Sequence, residues 1–183
     1  SRKSLQKRNS KTSLDLSALA KGYAVDVISN YLIESGYKSF LIDIGGEIKV
    51  NSLDEIFWEI GIQKPNITEI GLVANVIRLR NNAIATSGSY SNFIEYVNTE
   101  TKRCHIINPN NGYPIMIKDG LIVSASVIAN SCMDADAIAT ILMLLSTNDA
   151  LKFVDQLDNV EAYLIYIDNE DFKTVQTTGF SKF

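Results

Sequence analysis

The sequence predicts an α+β domain with a mixed, mostly antiparallel sheet and packed helices. Helical spacing of apolar residues occurs near the start of the chain and again past its middle, many short apolar segments lie between, and the order lacks regular βαβ alternation. Hydrophobic residues make up 46% of the 183 and charged residues 21%, which is typical of a globular chain. No composition break is visible, so we predict a ragged basic segment over 1–13 and one unit over 14–183.

The apolar positions between 16 and 35 recur every three or four residues, which predicts an amphipathic helix that ends at Gly36. Asp15 or Ser17 is the expected cap of this helix. A glycine inside a helix costs about 1 kcal/mol relative to alanine. Gly22 therefore indicates close packing or a bound ligand.

Short apolar or alternating segments bounded by turn residues predict the strands. We expect turns at Gly45-Gly46, at Asn81-Asn82 and over 108–112. The predicted strands are 40–44, 47–51, 57–62, 71–80, 84–86, 92–97, 103–107, 121–128, 161–167 and 175–180. Helical spacing predicts two further helices, over 131–145 and 148–157.

The charge and the metal-binding residue types exclude several classes of protein. A net charge of −4 and a pI near 5.0 argue against a general nucleic-acid binder. One histidine and two cysteines are too few for an ordinary structural zinc site or a disulfide-rich scaffold. The longest apolar run, over 137–145, is too short to span a bilayer, and residues 1–13 are too polar for a signal peptide.

Asp136 and Thr140 form the first candidate site, because residues four apart project from one face of a helix. A carboxylate with a hydroxyl offers hard oxygen ligands, which suit Mg²⁺ or Ca²⁺. The alternative is that both side chains only cap or solvate the helix.

His105 is the second candidate, at the end of a predicted strand and just before a turn. Imidazole groups titrate near neutral pH in general, so a histidine at this place suits a general base. The alternative is a half-buried histidine that donates one hydrogen bond.

Small and polar residues over 85–90 form the third candidate, a turn that suits a phosphate or a flavin ring. An ordinary turn at a strand end is the alternative, and Gly45-Gly46 allows the same two interpretations. Lys21 and Asp26, on the first predicted helix, have solvated charges as their simplest interpretation.

Seven stretches of the chain form an ordered set of short motifs: DLSALAKGYAVD at 15–26, IDIGGEI at 42–48, WEIGIQKP at 58–65, IATSGSY at 84–90, HIINPNNGYP at 105–114, ADAIAT at 135–140 and TTGF at 177–180. Taken together and in this order, they resemble the ApbE-like FAD:protein FMN transferase (flavin transferase) family. Members of that family are longer at the N-terminus, so the chain resembles the C-terminal majority of the family domain. Asn108 and Ser89 depart from the residues that many relatives carry.

The resemblance implies an ApbE-like (T-fold-like) architecture and a role for each matching site residue. It implies Mg²⁺ ligands at Asp136 and Thr140, helped by a backbone carbonyl near Ala18. His105 corresponds to the histidine that deprotonates the acceptor hydroxyl, and Lys21 to a lysine that contacts the flavin. Thr86, Ser87 and Gly88 correspond to the turn that lines the flavin site. Asp26 and Glu47 are motif residues without an assigned role.

The implied activity is Mg²⁺-dependent transfer of FMN from FAD to a Ser or Thr hydroxyl of an acceptor protein, with release of AMP. Two alternatives stay open: an FAD pyrophosphatase that gives FMN and AMP, and a flavin-binding protein without catalytic activity. The resemblance also implies an acceptor flavoprotein subunit of a membrane redox complex as partner. It implies an extracytoplasmic, membrane-associated location.

Overall fold

A computed structural model describes residues 4–65, 72–89, 93–95, 102–169 and 171–183. Within these ranges the chain forms three α-helices, eleven strands and one short 3₁₀ helix at Thr178–Lys182. The helices are α1 (Ala20–Glu34), α2 (Cys132–Leu142) and α3 (Thr147–Val154). The strands are β1 (Phe40–Ile44), β2 (Glu47–Asn51), β3 (Trp58–Gln63), β4 (Val73–Leu79), β5 (Ala83–Gly88), β6 (Phe93–Glu95), β7 (Lys102–Ile107), β8 (Pro114–Met116), β9 (Ile122–Ala129), β10 (Glu161–Asp168) and β11 (Asp171–Gln176).

The main sheet has six strands in the order β1-β2-β5-β9-β10-β11, and every neighbouring pair is antiparallel. This confirms the predicted α+β class with a mostly antiparallel sheet. Strands β3 and β4 pair with each other, and β6, β7 and β8 form a third sheet. No α-helix in the described ranges is long and apolar enough to cross a membrane.

Strand β9 lies at the centre of the core, and all of its eight residues are buried. One face of the main sheet packs against α2 and α3, through small residues such as Ala135 and Ala139. The other face packs against the β3–β4 hairpin and Phe180 of the 3₁₀ helix. Because both faces of the sheet are covered, the central strand β9 is buried along its whole length, including Ser124 and Ser126.

Helix α1 packs against α2 at an unusually close contact beside Gly22. A Cβ atom on Gly22 would lie 2.3 Å from the Cys132 carbonyl oxygen, a distance that backbone atoms do not tolerate. The close packing expected of this glycine is confirmed. No other residue type allows the two helix backbones to approach this far.

The start of α1 differs from the prediction. The helix begins at Ala20 rather than at 16, and neither Asp15 nor Ser17 caps it. Asp15 Oδ1 instead accepts a hydrogen bond from the Ser17 backbone N–H, at 2.8 Å. An aspartate that bonds two residues ahead favours a turn over a helix, so the chain forms a turn before α1 begins.

Three further predictions need correction. Residues Thr86–Gly88 form no turn but belong to β5, where Thr86 pairs with Ser126 of β9. The predicted strand over 175–180 ends at Gln176, because the following residues bury Phe180 in a 3₁₀ helix. Strand β8 was not predicted, since its three residues are too short for a periodic signal.

The other predicted elements are confirmed with shifts of a few residues at their ends. Gly45 and Gly46 have φ angles of 64° and 99° and form a two-residue hairpin turn, so the bend is the correct interpretation. The predicted turn over 108–112 is also present, since Gly112 N–H donates to the Asn108 carbonyl at 2.8 Å. Residues 71, 92, 96 and 97 of the predicted strands lie outside the described ranges.

Gly22→Ala is expected to destabilise the fold by about 1–3 kcal/mol, because the added methyl group overpacks the α1–α2 contact. The matched control is Gly61→Ala, whose Cβ would meet only Val73 side-chain carbons at 3.4 and 3.6 Å. Urea unfolding of both variants measures the difference. Equal stability of the two variants would contradict the close-contact interpretation.

Candidate active site

A cleft of about 610 Å³ opens between the turn before α1, strands β5 and β7, and helix α2. It contains all eight residues that the sequence singled out as a site, which come from four separate parts of the chain. These are Ala18, Lys21, Thr86, Ser87, Gly88, His105, Asp136 and Thr140. The remaining lining residues are Asp15, Ser17, Glu47, Ile106, Ile107 and Leu144.

Asp136 is 4% exposed and is held in place by α1. Its Oδ2 atom accepts a hydrogen bond from the Gly22 backbone N–H at 3.0 Å. Burial raises the pKa of the Asp136 carboxyl, while the Gly22 hydrogen bond and the Lys21 charge act in the opposite direction. None of the described residues donates a hydrogen bond to Oδ1, so this oxygen can serve a ligand.

Thr140 lies one turn beyond Asp136 and connects α2 to β5. Its hydroxyl oxygen is 3.1 Å from Ser87 Oγ, and the neighbouring Thr86 hydroxyl oxygen is 2.8 Å from Ser126 Oγ of β9. These hydroxyl contacts fix one wall of the cleft. The wall is therefore a hydrogen-bonded strand rather than a flexible turn.

The capping interpretation of Asp136 is wrong, because other side chains cap α2. Ser131 Oγ accepts from Asp134 N–H at 3.2 Å. Asp26 of α1 accepts from the N–H groups of Cys132 and Met133, at 3.0 and 2.9 Å. Asp26 is thus no solvated charge but a structural link from α1 to the N-terminus of α2, where the helix dipole favours an anion.

Lys21 and Glu47 form an ion pair in the cleft, with Lys21 Nζ 2.6 Å from Glu47 Oε2. Glu47 is 2% exposed, whereas the Lys21 side chain is 50% exposed. Burial raises the pKa of the Glu47 carboxyl, and its hydrogen bond with Lys21 opposes that shift. Lys21 is therefore a half-exposed charge that also forms an ion pair, and Glu47 is a cleft residue whose role the sequence left open.

His105 lies on the outer face of β7, next to solvent. Its neighbours Cys104 and Ile106 point inward, and Ile106 packs against the main core. Among the described residues, no carboxylate forms a hydrogen bond with the imidazole. The imidazole is thus accessible to a molecule that approaches the open side of the cleft.

The sequence missed several residues at the edge of the cleft. Asp15 and Ser17 lie beside Ala18 in the turn before α1, and the Ser17 hydroxyl that donates to Asp15 lowers the pKa of the Asp15 carboxyl. Ile107 and Leu144 add apolar surface. Asp15 and Ser17 belong to the stretch over 15–26, where only a capping role was predicted for them. Nothing in the sequence distinguishes Ile107 and Leu144 from core residues.

The charges in the cleft determine which ligands it can accept. Three carboxylates, of Asp15, Glu47 and Asp136, face one ammonium group, of Lys21, and the single imidazole. An anionic ligand would be repelled unless a cation accompanies it. The described residues contain no cluster of three or more typical metal-ligating side chains. A cleft with so few carboxylates suits Mg²⁺, because Mg²⁺ commonly uses one or two carboxylates and completes its shell with water and substrate phosphates.

Asp136→Asn is expected to stabilise the metal-free protein at neutral pH. Burial makes the folded state bind the Asp136 proton more tightly than the unfolded state does. Wild-type stability should therefore fall as pH rises from about 4 through the raised pKa. The Asn variant keeps an acceptor for Gly22 N–H without the charge. Urea unfolding of wild type and variant at several pH values tests this. If the stability difference in favour of the variant grew towards acid pH, the prediction would be wrong.

Comparison with known proteins identifies the family of the chain. The family model described as "ApbE family" matches residues 1–164. The "FAD:protein FMN transferase" of Vibrio cholerae is 35% identical over 93% of this chain, and that of Escherichia coli K12 is 33% identical over 93%. The chain spans about half the length of these curated relatives, 49% and 47% respectively.

Solved structures give the same result. The "Flavin Transferase ApbE from Vibrio cholerae" matches with a TM-score of 0.75 at 33% identity, over 93% of this chain and 52% of that one. The apo form of Pseudomonas stutzeri flavinyl transferase ApbE matches with a TM-score of 0.75 at 28% identity, over 92% and 50%. With this fold, this cleft and these relatives, the chain belongs to the ApbE family.

Proposed function

We propose that the protein transfers FMN from FAD to a Ser or Thr hydroxyl of an acceptor protein and releases AMP, in a reaction that depends on Mg²⁺. The observation that carries this proposal is the convergence of Asp136, Thr140, Lys21 and His105 in one cleft with the β5 wall. Relatives named FAD:protein FMN transferase support it.

Asp136, Thr140 and the backbone carbonyl of Ala18 are the proposed Mg²⁺ ligands. They supply a buried carboxylate, one oxygen of which has no donor among the described residues, together with a hydroxyl and a carbonyl, all hard oxygen donors at one cleft. When bound, the cation neutralises the charge of the diphosphate. Without a cation, Asp136 and Glu47 would repel that group.

The residues of the chain then have separate tasks. We assign the flavin to the wall formed by Thr86, Ser87 and Gly88, with Lys21 as a cationic contact. His105 accepts the proton of the acceptor hydroxyl as the oxygen attacks the FMN phosphorus. A new P–O bond joins FMN to the acceptor, and the P–O bond to AMP breaks.

Hydrolysis of FAD to FMN and AMP is a second candidate function. The exposed position of His105 favours it, because water reaches the imidazole as easily as a protein hydroxyl does. Both reactions use the same residues. Only the acceptor of the FMN group differs.

We extend the proposal to the setting of the reaction. The acceptor is a flavoprotein subunit of a membrane redox complex, and the protein acts on it outside the cytoplasmic membrane. This part rests on the family resemblance alone.

The direct test mixes the native protein with FAD, Mg²⁺ and an acceptor domain, and mass spectrometry then determines whether the acceptor gains one FMN. A flavinylated acceptor supports the transferase. Free FMN and AMP alone would select the hydrolase. Retained FAD without turnover would refute both and leave a flavin-binding protein.

Asp136→Ala is expected to reduce Mg²⁺-dependent AMP release by on the order of 100-fold or more, because the only carboxylate among the proposed ligands is lost. Chromatographic measurement of AMP tests this. Asp134→Ala is the matched control, since Asp134 is an exposed carboxylate in the first turn of the same helix. Wild-type rates in the Asp136 variant would refute the metal site.

His105→Ala is expected to keep FAD binding but to lower transfer by about 10²–10⁴-fold, the usual contribution of a general base. Flavin fluorescence measures binding, and acceptor mass measures transfer. Its exposed position on β7 makes a folding defect from this substitution small. Lost FAD binding with normal turnover of the bound fraction would contradict the base role.

A further inference from the structure

Glu47 is a buried carboxylate at the cleft, and none of the assigned tasks uses it. The tight turn at Gly45-Gly46 places it at the first position of β2, opposite Ile44 of β1. Its side chain is 2% exposed. Burying a carboxylate costs free energy unless a partner compensates for the lost water. The buried position of Glu47 therefore requires an explanation.

The partner of Glu47 is Lys21, whose Nζ lies 2.6 Å from Glu47 Oε2. Lys21 is the residue before Gly22, whose N–H binds Asp136. The Lys21 charge acts on both carboxylates, since it favours the ionised form of Glu47 and also that of Asp136. One ammonium group therefore lies within electrostatic reach of two carboxylates and forms its close ion pair with Glu47.

Whether the Lys21 ammonium pairs with Glu47 or with Asp136 matters for the chemistry of the cleft. A lysine has a flexible four-carbon stem and three donors, so its ammonium can turn to a second acceptor nearby. If Lys21 paired with Asp136, its positive charge would compete with a cation for the same carboxylate. The ion pair with Glu47 prevents this competition and leaves Asp136 Oδ1 without a donor among the described residues.

We propose that Glu47 is a positioning residue that holds the Lys21 ammonium away from Asp136 and so keeps the Asp136 carboxylate available to a divalent cation. This inference rests on the proposed function, because it assumes that Asp136 is a cation ligand. Glu47 itself does not take part in the reaction. It determines which carboxylate the lysine neutralises.

The test measures binding of Mg²⁺ alone to the native protein, from the rise in thermal unfolding temperature with cation concentration. Glu47→Gln should weaken Mg²⁺ binding about tenfold, which corresponds to about 1.4 kcal/mol. Glu47→Asp, which keeps the charge on a shorter side chain, should fall between wild type and Glu47→Gln. The double variant Lys21→Met with Glu47→Gln should regain wild-type affinity or exceed it, because no ammonium remains to compete.

The rescue by the double variant separates positioning from a structural role, since a merely structural defect would persist or worsen in it. Glu161→Gln is the matched control. Glu161 is a partly buried glutamate that accepts a hydrogen bond from Thr177 and does not line the cleft, so its loss should leave Mg²⁺ affinity unchanged. Urea unfolding of each variant reports folding separately from cation binding.

Two results would overturn the inference by itself: wild-type Mg²⁺ affinity in Glu47→Gln, or a double variant as weak as Glu47→Gln alone. A third result would overturn the proposed function as well as the inference. If wild type and Asp136→Ala responded identically to Mg²⁺, the metal site of the proposed function would be wrong, and the inference would be wrong with it.

Discussion

The hydrogen bond from Gly22 N–H to Asp136 Oδ2 is the contact on which the rest of the site depends. It exists only because Gly22 lacks a side chain and lets α1 approach the first turn of α2. Asp26, one turn further along α1, accepts from the N–H groups at the start of α2. The two helices are therefore joined by polar contacts in both directions, and this joint orients the buried carboxylate towards the cleft.

The electrostatics of the cleft follow from this arrangement. Burial raises the pKa of both Asp136 and Glu47, which means that the folded protein keeps two carboxylates where isolated charges are unfavourable. Such perturbed groups in a cleft are typical of functional sites. Glu47 has its own counter-ion in Lys21, whereas Asp136 Oδ1 receives no hydrogen bond from the part of the chain that the structure describes. The charges thus distinguish the two carboxylates. Lys21 neutralises Glu47, whereas Asp136 can accept a cation from outside the protein.

The two sides of the cleft differ in rigidity and access. Helix α2 and strand β5 both pack against β9, which is buried on both faces. Asp136 and the residues Thr86–Gly88 therefore belong to elements that are packed against the protein core. His105 instead belongs to the smaller three-stranded sheet and faces solvent. A small ligand and a cation can be held against the rigid side. The exposed side leaves room for a second, larger substrate.

The sequence predicted the class of the fold and most strands and helices, and the eight residues that it singled out as a site all line one cleft. The spacing of apolar residues reflects which side chains are buried, and it therefore predicts helices and strands. Short motifs allow the family resemblance to be assigned residue by residue. The sequence failed at two places, for different reasons. At the start of α1 a local hydrogen bond from Ser17 N–H to Asp15 forms a turn instead of a helix, and in the last segment the tertiary burial of Phe180 replaces a strand with a 3₁₀ helix.

The sequence by itself therefore singled out the residues of the proposed site: Asp136 and Thr140 by type and spacing, His105 by type and position, and Lys21 by the family resemblance. Only the tertiary structure decided how they work together. Glu47 and Lys21 are 26 positions apart, and Gly22 and Asp136 are 114 apart. Contacts at such separations arise from the packing of α1 against α2 and the sheet, which no local pattern encodes.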